Sequence, residues 1–275
     1  MQQTKRYKMI ISDFDGTLRD DNYRVSEKTA EAIRRHTQNG GIFAVVTGRM
    51  RSSILPIVRS IPLTGLVVSY QGATVTEIET GKDLLNAGLR NEQAIFVCGA
   101  FARRNLHTHV YIHDTLYCNV DDEALHLYEK YCKIKGIVEP DLQKLIAEDG
   151  GYVQKILAMV DPADRDGIID DLREELGSEY DVTYSSDFFV EVSAKDYTKG
   201  TIVPFLARFY GIEESDILAV GDSFNDAPML IRAGMGVAVA NADKRLKEIA
   251  DVIYTYTNNE DAVRRILEEY GLAKE

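Results

Sequence analysis

The sequence predicts a mixed α/β protein: a Rossmann-like, doubly wound parallel-sheet core with an α+β unit inserted into it. Three observations carry that prediction. Short apolar runs (Met9–Ile11, Ile42–Val46, Leu66–Val68, Ile217–Val220 and Gly236–Val239) alternate with helical stretches. Strands that are apolar on both faces belong in a parallel sheet covered on both sides. Several of these runs stop abruptly at polar turns, the pattern of strands whose C-terminal ends border a ligand crevice. Between residues 85 and 194 the pattern changes to strands of alternating character, so residues 1–84 and 195–275 are assigned to the core and 85–194 to the inserted unit.

The elements follow in order. Tyr7 to Ser12 reads as the first strand. Ser26 caps a helix with Ala30 and Ile33 on one face, and Gly40-Gly41 ends it. Ile42–Val46 is the second strand, a helix runs from about Ser52 to Ser60, and Pro62 breaks the chain before the strand Leu66–Ser69. Val75, Ile78 and Gly81 suggest a hairpin. The insert opens with a helix from Asn91 to Arg104. Strands follow over His107–His113 and Leu116–Val120, then a helix over Asp122–Ile134 and a less regular region around Pro140. The strand Val153–Met159, the helix Asp164–Leu176 and a hairpin over 181–184 and 188–192 close the unit. The core resumes with a helix opened by Lys199-Gly200, the strands Ile217–Val220 and Gly236–Val239, and helices over Lys244–Ala250 and Asp261–Tyr270.

The chain has 275 residues, 45% hydrophobic and 28% charged, which is the composition of a globular protein able to hold itself together without disulfides or a structural metal. Its 32 Lys and Arg against 44 Asp and Glu leave a net charge of −12. That balance argues against nucleic acid and against anionic membranes as partners. An anionic substrate must then be drawn in by local positive charge. No signal-peptide pattern opens the sequence, no apolar run is long enough to span a bilayer, and Cys98, Cys118 and Cys132 follow no metal-ligand spacing. A reduced, cytoplasmic setting is expected, with the three cysteines as ordinary packing or surface thiols and Arg103-Arg104 as a charge pair at a helix end.

The chemistry starts at Asp13 and Asp15. Two residues apart on extended chain, their carboxylates point the same way. At about 4 Å they repel by roughly 4 kcal/mol at an effective dielectric near 20. Solvation in a turn can relieve that, as can a shared proton or a cation. Thr47 with Gly48, and Asp222 with Asn225 and Asp226, end two other buried strands, and Lys199 stands at a helix start. Phosphoryl transfer needs a nucleophile, a proton donor, a metal and donors for the equatorial oxygens. This set covers that inventory with carboxylates, which also suit Mg²⁺, a compact lysine cation, and the Thr47 hydroxyl with neighbouring backbone N–H groups. Taken singly, each has a plainer reading: a solvated lysine, a turn, acids at a helix N-terminus.

Asp13-Phe14-Asp15-Gly16-Thr17-Leu18 resembles the first motif of the haloacid dehalogenase superfamily. Thr47, Lys199 and Gly221-Asp222-x-x-Asn225-Asp226 follow in the family's order. The last string, with Met229-Leu230 after it, is similar to that of the Cof-type phosphatases, subfamily IIB. About thirty residues separate Asp15 from Thr47 and about a hundred and fifty separate Thr47 from Lys199. In the Cof-like group the cap domain lies in that second gap. The resemblance implies that Asp13 attacks phosphorus and Asp15 acts as acid and then base. It implies Mg²⁺ held by the Asp13 and Asp222 carboxylates and the Asp15 carbonyl, with Asp226 behind them. Lys199, Thr47, Asn225 and the N–H groups near Phe14 and Gly48 would hold the phosphate. The sequence departs from the family at Gln71-Gly72-Ala73, where an Asn-Gly-Ala is usual.

The reading is therefore a Mg²⁺-dependent phosphatase of small phosphorylated metabolites such as sugar phosphates, working through an aspartyl-phosphate, as a monomer or small homo-oligomer. A phosphomutase of the same architecture and a phosphometabolite-binding regulator without turnover are the alternatives. One cluster stands outside this set: His107, His109 and His113 fall on one strand face with Tyr111. A zinc site there is possible, since imidazole is a good zinc ligand. The plainer expectation is a solvated face, and a third is a face that looks onto the substrate.

Overall fold

The computed structural model describes residues 5–61 and 63–272; Pro62, expected to break the chain, lies outside them. The first core segment holds β1 (Met9–Ser12), α1 (Glu27–Gln38), β2 (Ile42–Val46), α2 (Arg51–Ser60), β3 (Leu66–Ser69), β4 (Thr74–Glu77) and β5 (Asp83–Asn86). The insert holds α3 (Asn91–Arg103), β6 (His107–Ile112), β7 (Thr115–Cys118), α4 (Glu123–Cys132) and β8 (Gly136–Val138). It continues with α5 (Leu142–Asp149), β9 (Val153–Met159), α6 (Arg165–Leu176), β10 (Tyr180–Ser186) and β11 (Phe189–Ala194). The chain finishes with α7 (Ile202–Tyr210), β12 (Ile217–Gly221), α8 (Ala227–Arg232), β13 (Met235–Ala238), α9 (Lys244–Ile249), β14 (Val252–Ile253) and α10 (Ala262–Tyr270).

Eight strands form the larger sheet in the order β14-β13-β12-β1-β2-β3-β4-β5. β14 through β3 are parallel, and β4 and β5 turn back antiparallel at the edge. The apolar runs explain the centre: Met9, Ile10 and Ile11 pair with Ile217–Ala219 on one side and Ile42–Ala44 on the other, and β1 and β12 are wholly buried. Helices seal both faces with narrow apolar stripes. On α1, for example, Ser26 accepts a hydrogen bond from the Thr29 N–H at 3.1 Å, and Ile33 is fully buried. Burial of one such side chain contributes roughly 1.5–3 kcal/mol.

The insert forms a second, six-stranded sheet in the order β10-β11-β9-β6-β7-β8, antiparallel except for the β7–β8 pair. Val110, Ile112, Ile156 and Ala158 point to one face, into a core shared with α3, α5 and α6. Tyr111, Leu116, Cys118 and Leu157 point to the other, where α4 and the core residues Met50, Tyr70 and Ala73 cover them.

Two expectations need correction. The region around Pro140 is regular: β8 and α5 flank it, with the Asp141 carboxylate accepting the Lys144 N–H at 3.0 Å as a cap. Three strand residues and two buried helix positions, Leu142 and Ile146, were too few to show a period. The histidine face is buried, not solvated, because α4 lies across it: His109 and Tyr111 are fully buried and only His107 reaches solvent. His113 is not on that face. It stands in the turn after β6 at φ +50°, with its Nε2 3.1 Å from Asp149 Oδ1.

The turn that carries Lys199 is held against the loop after β3. Gly72 sits there at φ +118°, and a Cβ on it would lie 2.5 Å from the Thr198 carbonyl oxygen. A Gly72→Ala substitution therefore costs stability through both backbone strain and the clash, by about 2 kcal/mol or more. Urea denaturation is expected to show a lowered midpoint, and an unchanged midpoint would mean that the two loops are not locked together.

Candidate active site

Three of the parallel strands in the larger sheet end side by side, and the loops that leave them converge. Asp13 follows β1, Thr47 and Gly48 follow β2, and Asp222 through Asp226 follow β12. Adjacent in sheet order, these ends bring together residues more than two hundred positions apart in the chain.

Lys199 is the hub. Only 2% exposed, its Nζ donates to Asp13 Oδ1 at 2.5 Å and to Asp226 Oδ1 at 2.6 Å. The second oxygen of Asp226 accepts the backbone N–H groups of Asp222 and Ser223 at 2.9 and 3.0 Å. Asp226 is thus fully engaged inside the protein and orients the β12 loop. Asp222 accepts the Thr17 hydroxyl at 2.6 Å. Gly16, at φ +76°, lets the loop after β1 pass close by: a Cβ there would lie 2.4 Å from Asp222 Oδ2.

Oxygens of Asp13, Asp222 and Asp226 lie within 4.8 Å of one another. Three carboxylates share one lysine, which leaves two negative charges uncompensated if all are ionised. The electrostatics record the deficit. Burial, with the Asp226 and Asp15 carboxylates, pushes Asp13 up to about 7 against the pull of Lys199. Burial and the charges of Asp13 and Asp226 push Asp222 well above the carboxylate range. Burial pulls Lys199 down, but the two carboxylates beside it outweigh that and keep it charged. A hard divalent cation bound through Asp13 and Asp222 fits both the missing charge and the all-oxygen donor set.

Asp15 has a different environment. Burial alone would raise it, but the guanidinium groups of Arg49 and Arg19 hold it below the usual carboxylate range. Arg49 pairs with it in a fork, Nε to Oδ2 at 2.6 Å and Nη2 to Oδ1 at 2.8 Å, and Arg19 Nε bonds Oδ1. The Tyr131 hydroxyl from α4 lies 3.4 Å from the same oxygen. Phe14 is buried beneath this cluster, with the Arg49 guanidinium 5.4 Å from its ring.

The remaining expected residues are close by. Thr47 is buried, and its hydroxyl oxygen accepts the Arg49 N–H at 3.2 Å. The Gly48 carbonyl accepts Lys155 Nζ from β9 at 2.8 Å. Asn225 donates to Gln71 Oε1 at 3.2 Å, and Gln71 donates in turn to Glu191 Oε2 on β11 at 2.7 Å. Gln71, at φ +60°, departs from the usual asparagine and uses its longer reach to join the two sheets. Glu191 also pairs with Lys155 at 3.2 Å. A narrow cavity of about 70 Å³ remains, bordered below by Asp13, Asp15, Thr47 and Asn225 and above by side chains of the insert, Tyr131 and Phe189 among them.

The structure thus brings Asp13, Asp15, Phe14, Thr47, Gly48, Lys199, Asp222, Asn225 and Asp226 to one place. His109 and Tyr111 do not border the cavity and lie a layer behind it. Sequence reasoning missed Arg19, Arg49, Tyr131, Lys155 and Glu191. Arg49 was within reach, as the residue after Thr47-Gly48 at a strand end. The insert residues carry no local signal, since only the packing of the two sheets brings them here.

The chain is similar to known proteins over nearly its whole length. A crystal structure from Thermotoga maritima is 29% identical, with a TM-score of 0.79 over 98% of each chain. Two curated Bacillus subtilis proteins align over nearly their full length. The 5-amino-6-(5-phospho-D-ribitylamino)uracil phosphatase YitU is 28% identical over 98% of both chains. Phosphatase YwpJ is 27% identical over 94% of this chain and 98% of its own. Residues 10–267 match the haloacid dehalogenase-like hydrolase family, so the chain belongs to that family and, like its named relatives, is a phosphatase.

Proposed function

We propose that this phosphatase hydrolyses phosphomonoesters of small metabolites, Mg²⁺-dependently and through a phosphoryl group carried on Asp13. The observation that carries the proposal is the uncompensated carboxylate cluster: Asp13, Asp222 and Asp226 around Lys199, with Asp13 bordering a cavity that Arg49 and Lys155 also line. Asp13 and Asp222, with the Asp15 backbone carbonyl, would hold Mg²⁺. When bound, it neutralises charge on the cluster and on the phosphoryl oxygens. Lys199 fixes the Asp13 carboxylate through Oδ1 and leaves Oδ2 to attack phosphorus. The P–O ester bond breaks, and the leaving oxygen takes a proton from Asp15. In the second half, Asp15 takes a proton from water. That water's oxygen attacks phosphorus, releasing inorganic phosphate and freeing Asp13.

Asp15, clamped by Arg49 and Arg19, is in the ionised form that the second half requires. For the first half it must hold a proton. An incoming phosphate gives both arginines a second anion to pair with, and so loosens their grip on Asp15. Thr47, Asn225 and the N–H groups near Phe14 and Gly48 hold the remaining phosphate oxygens.

Residues 85–194 serve as the cap. Their side chains form the roof of the cavity, so they contact the leaving group and exclude water, and their separation from the core admits substrate. The relative named as a 5-amino-6-(5-phospho-D-ribitylamino)uracil phosphatase acts, by that name, on a small phosphorylated molecule, which supports the same substrate class here. The protein acts in the cytoplasm as a monomer or small homo-oligomer. No helix among the described residues is long and apolar enough to cross a membrane.

Phosphate release from a panel of phosphorylated metabolites is expected to require Mg²⁺ and stop with EDTA. Asp13→Ala reduces it to background, and Asp15→Ala reduces it by about 10²–10⁴-fold. Undiminished turnover in either variant contradicts the roles given. Phe189→Ala, which removes part of the roof, is expected to change the kcat/KM ratio between bulky and small phosphoesters by roughly tenfold or more. An unchanged ratio would remove the cap from substrate selection.

A further inference from the structure

We infer that the insert carries a second metal site, built for zinc from His107, His109 and Cys118 and separate from the carboxylate site. His107 and His109 are two apart on β6 and so share a face, and Cys118 on β7 is the register partner of His109. The donor atoms converge: His107 Nε2 is 2.9 Å from His109 Nε2 and 3.3 Å from Cys118 Sγ, and the three lie within 4.8 Å of one another. On a tetrahedral zinc, the bond lengths for nitrogen and sulfur set these spacings at about 3.3 and 3.6 Å. Opening the cluster by a few tenths of an ångström is enough to admit the ion.

The surroundings fix the rings as metal ligands are fixed. His107 Nδ1 is 3.0 Å from Asp122 Oδ2, and the other oxygen of Asp122 caps α4 by accepting the Leu125 N–H at 3.0 Å. A carboxylate on Nδ1 places the proton there and leaves the Nε2 lone pair facing inward. His109 has no hydrogen-bond partner on Nδ1, so only its Nε2 points at a partner, and that partner is the cluster. Cys118 and His109 are fully buried, and His107 is 10% exposed at the edge where a water can complete four-coordination. Two imidazoles and a thiolate suit borderline-soft Zn²⁺ and exclude Mg²⁺, so the two sites select different ions. Binding displaces the Cys118 thiol proton and forms one metal–sulfur and two metal–nitrogen bonds, with no redox change.

The site also touches the cavity wall. The Tyr128 ring packs edge-on against His109 with centroids 4.6 Å apart, and Tyr128 borders the cavity. A bound ion therefore stiffens α4 behind the proposed leaving-group pocket. The inference does not depend on the phosphatase reading.

The test is titration of untagged, reduced, metal-free protein with Co²⁺. One equivalent is expected to raise a near-ultraviolet sulfur-to-cobalt band that Zn²⁺ abolishes. Cobalt on the carboxylates cannot produce that band. The band should vanish in Cys118→Ala and in His107→Ala and persist in Cys98→Ala. X-ray absorption at the zinc edge of the wild-type chain should count one sulfur and two imidazoles, which serves if a variant fails to fold. No band in the wild type, a band that survives in Cys118→Ala or His107→Ala, or a zinc shell without sulfur would overturn the site.

Discussion

Lys199 is the one buried cation among three buried or half-buried carboxylates, and the candidate active site is arranged around that imbalance. A lone charge inside a protein is costly unless it is paired, and here the pairing is incomplete by design of the loops. Asp226 gives one oxygen to Lys199 and the other to two backbone N–H groups, so its charge is spent on structure. Asp13 and Asp222 keep free oxygens and are pushed toward protonation by burial and by Asp226, with Asp15 adding to the push on Asp13 and Asp13 to that on Asp222. A divalent cation would supply the charge that such a cluster lacks. Asp15, two residues from Asp13, is kept ionised by two arginines. Two carboxylates on one loop are thus tuned in opposite directions, which is what distinct roles as nucleophile and acid–base require.

The fold supplies the rest by bringing strand ends and loops together. Parallel order places the exits of β1, β2 and β12 side by side, and the absence of a Cβ at Gly16 and Gly72 lets the Asp222 and Lys199 segments close in. The insert is joined to this centre by buried polar groups as well as by apolar packing. Gln71 links Asn225 to Glu191, and Lys155 joins Glu191 to the Gly48 carbonyl. A change in the loops after β2 and β12 can therefore be felt in the roof of the cavity. The net charge of −12 is no obstacle to an anionic substrate, because Arg19, Arg49, Lys155 and Lys199 place local positive charge where the field matters.

The mixed α/β class and the core strands were legible because buried parallel strands are apolar on both faces, a signal that survives in a single sequence. The carboxylates and Lys199 were legible because their residue types and spacing are unusual together. What was hidden depends on tertiary contact. Lys155 reads as an outward polar residue in a strand, yet it is buried because a core carbonyl waits above it. The histidine face reads as solvated because nothing local announces that α4 folds back over it. His113 looks like a third member of that face by alternation, but the chain leaves the strand one residue earlier. β8 and α5 are too short for their periodicity to be seen.

The central claim is that Asp13 carries the phosphoryl group. Acetyl phosphate, whose leaving group needs no proton, can load the site of an Asp15→Asn variant that lacks the base to unload it. Rapid acid quench with labelled acetyl phosphate and Mg²⁺, followed by peptide mapping, is predicted to place the label on the peptide containing Asp13. Labelling should be absent when Asp13 is also changed to asparagine. Label on another residue, or label that persists without the Asp13 carboxylate, would contradict the account.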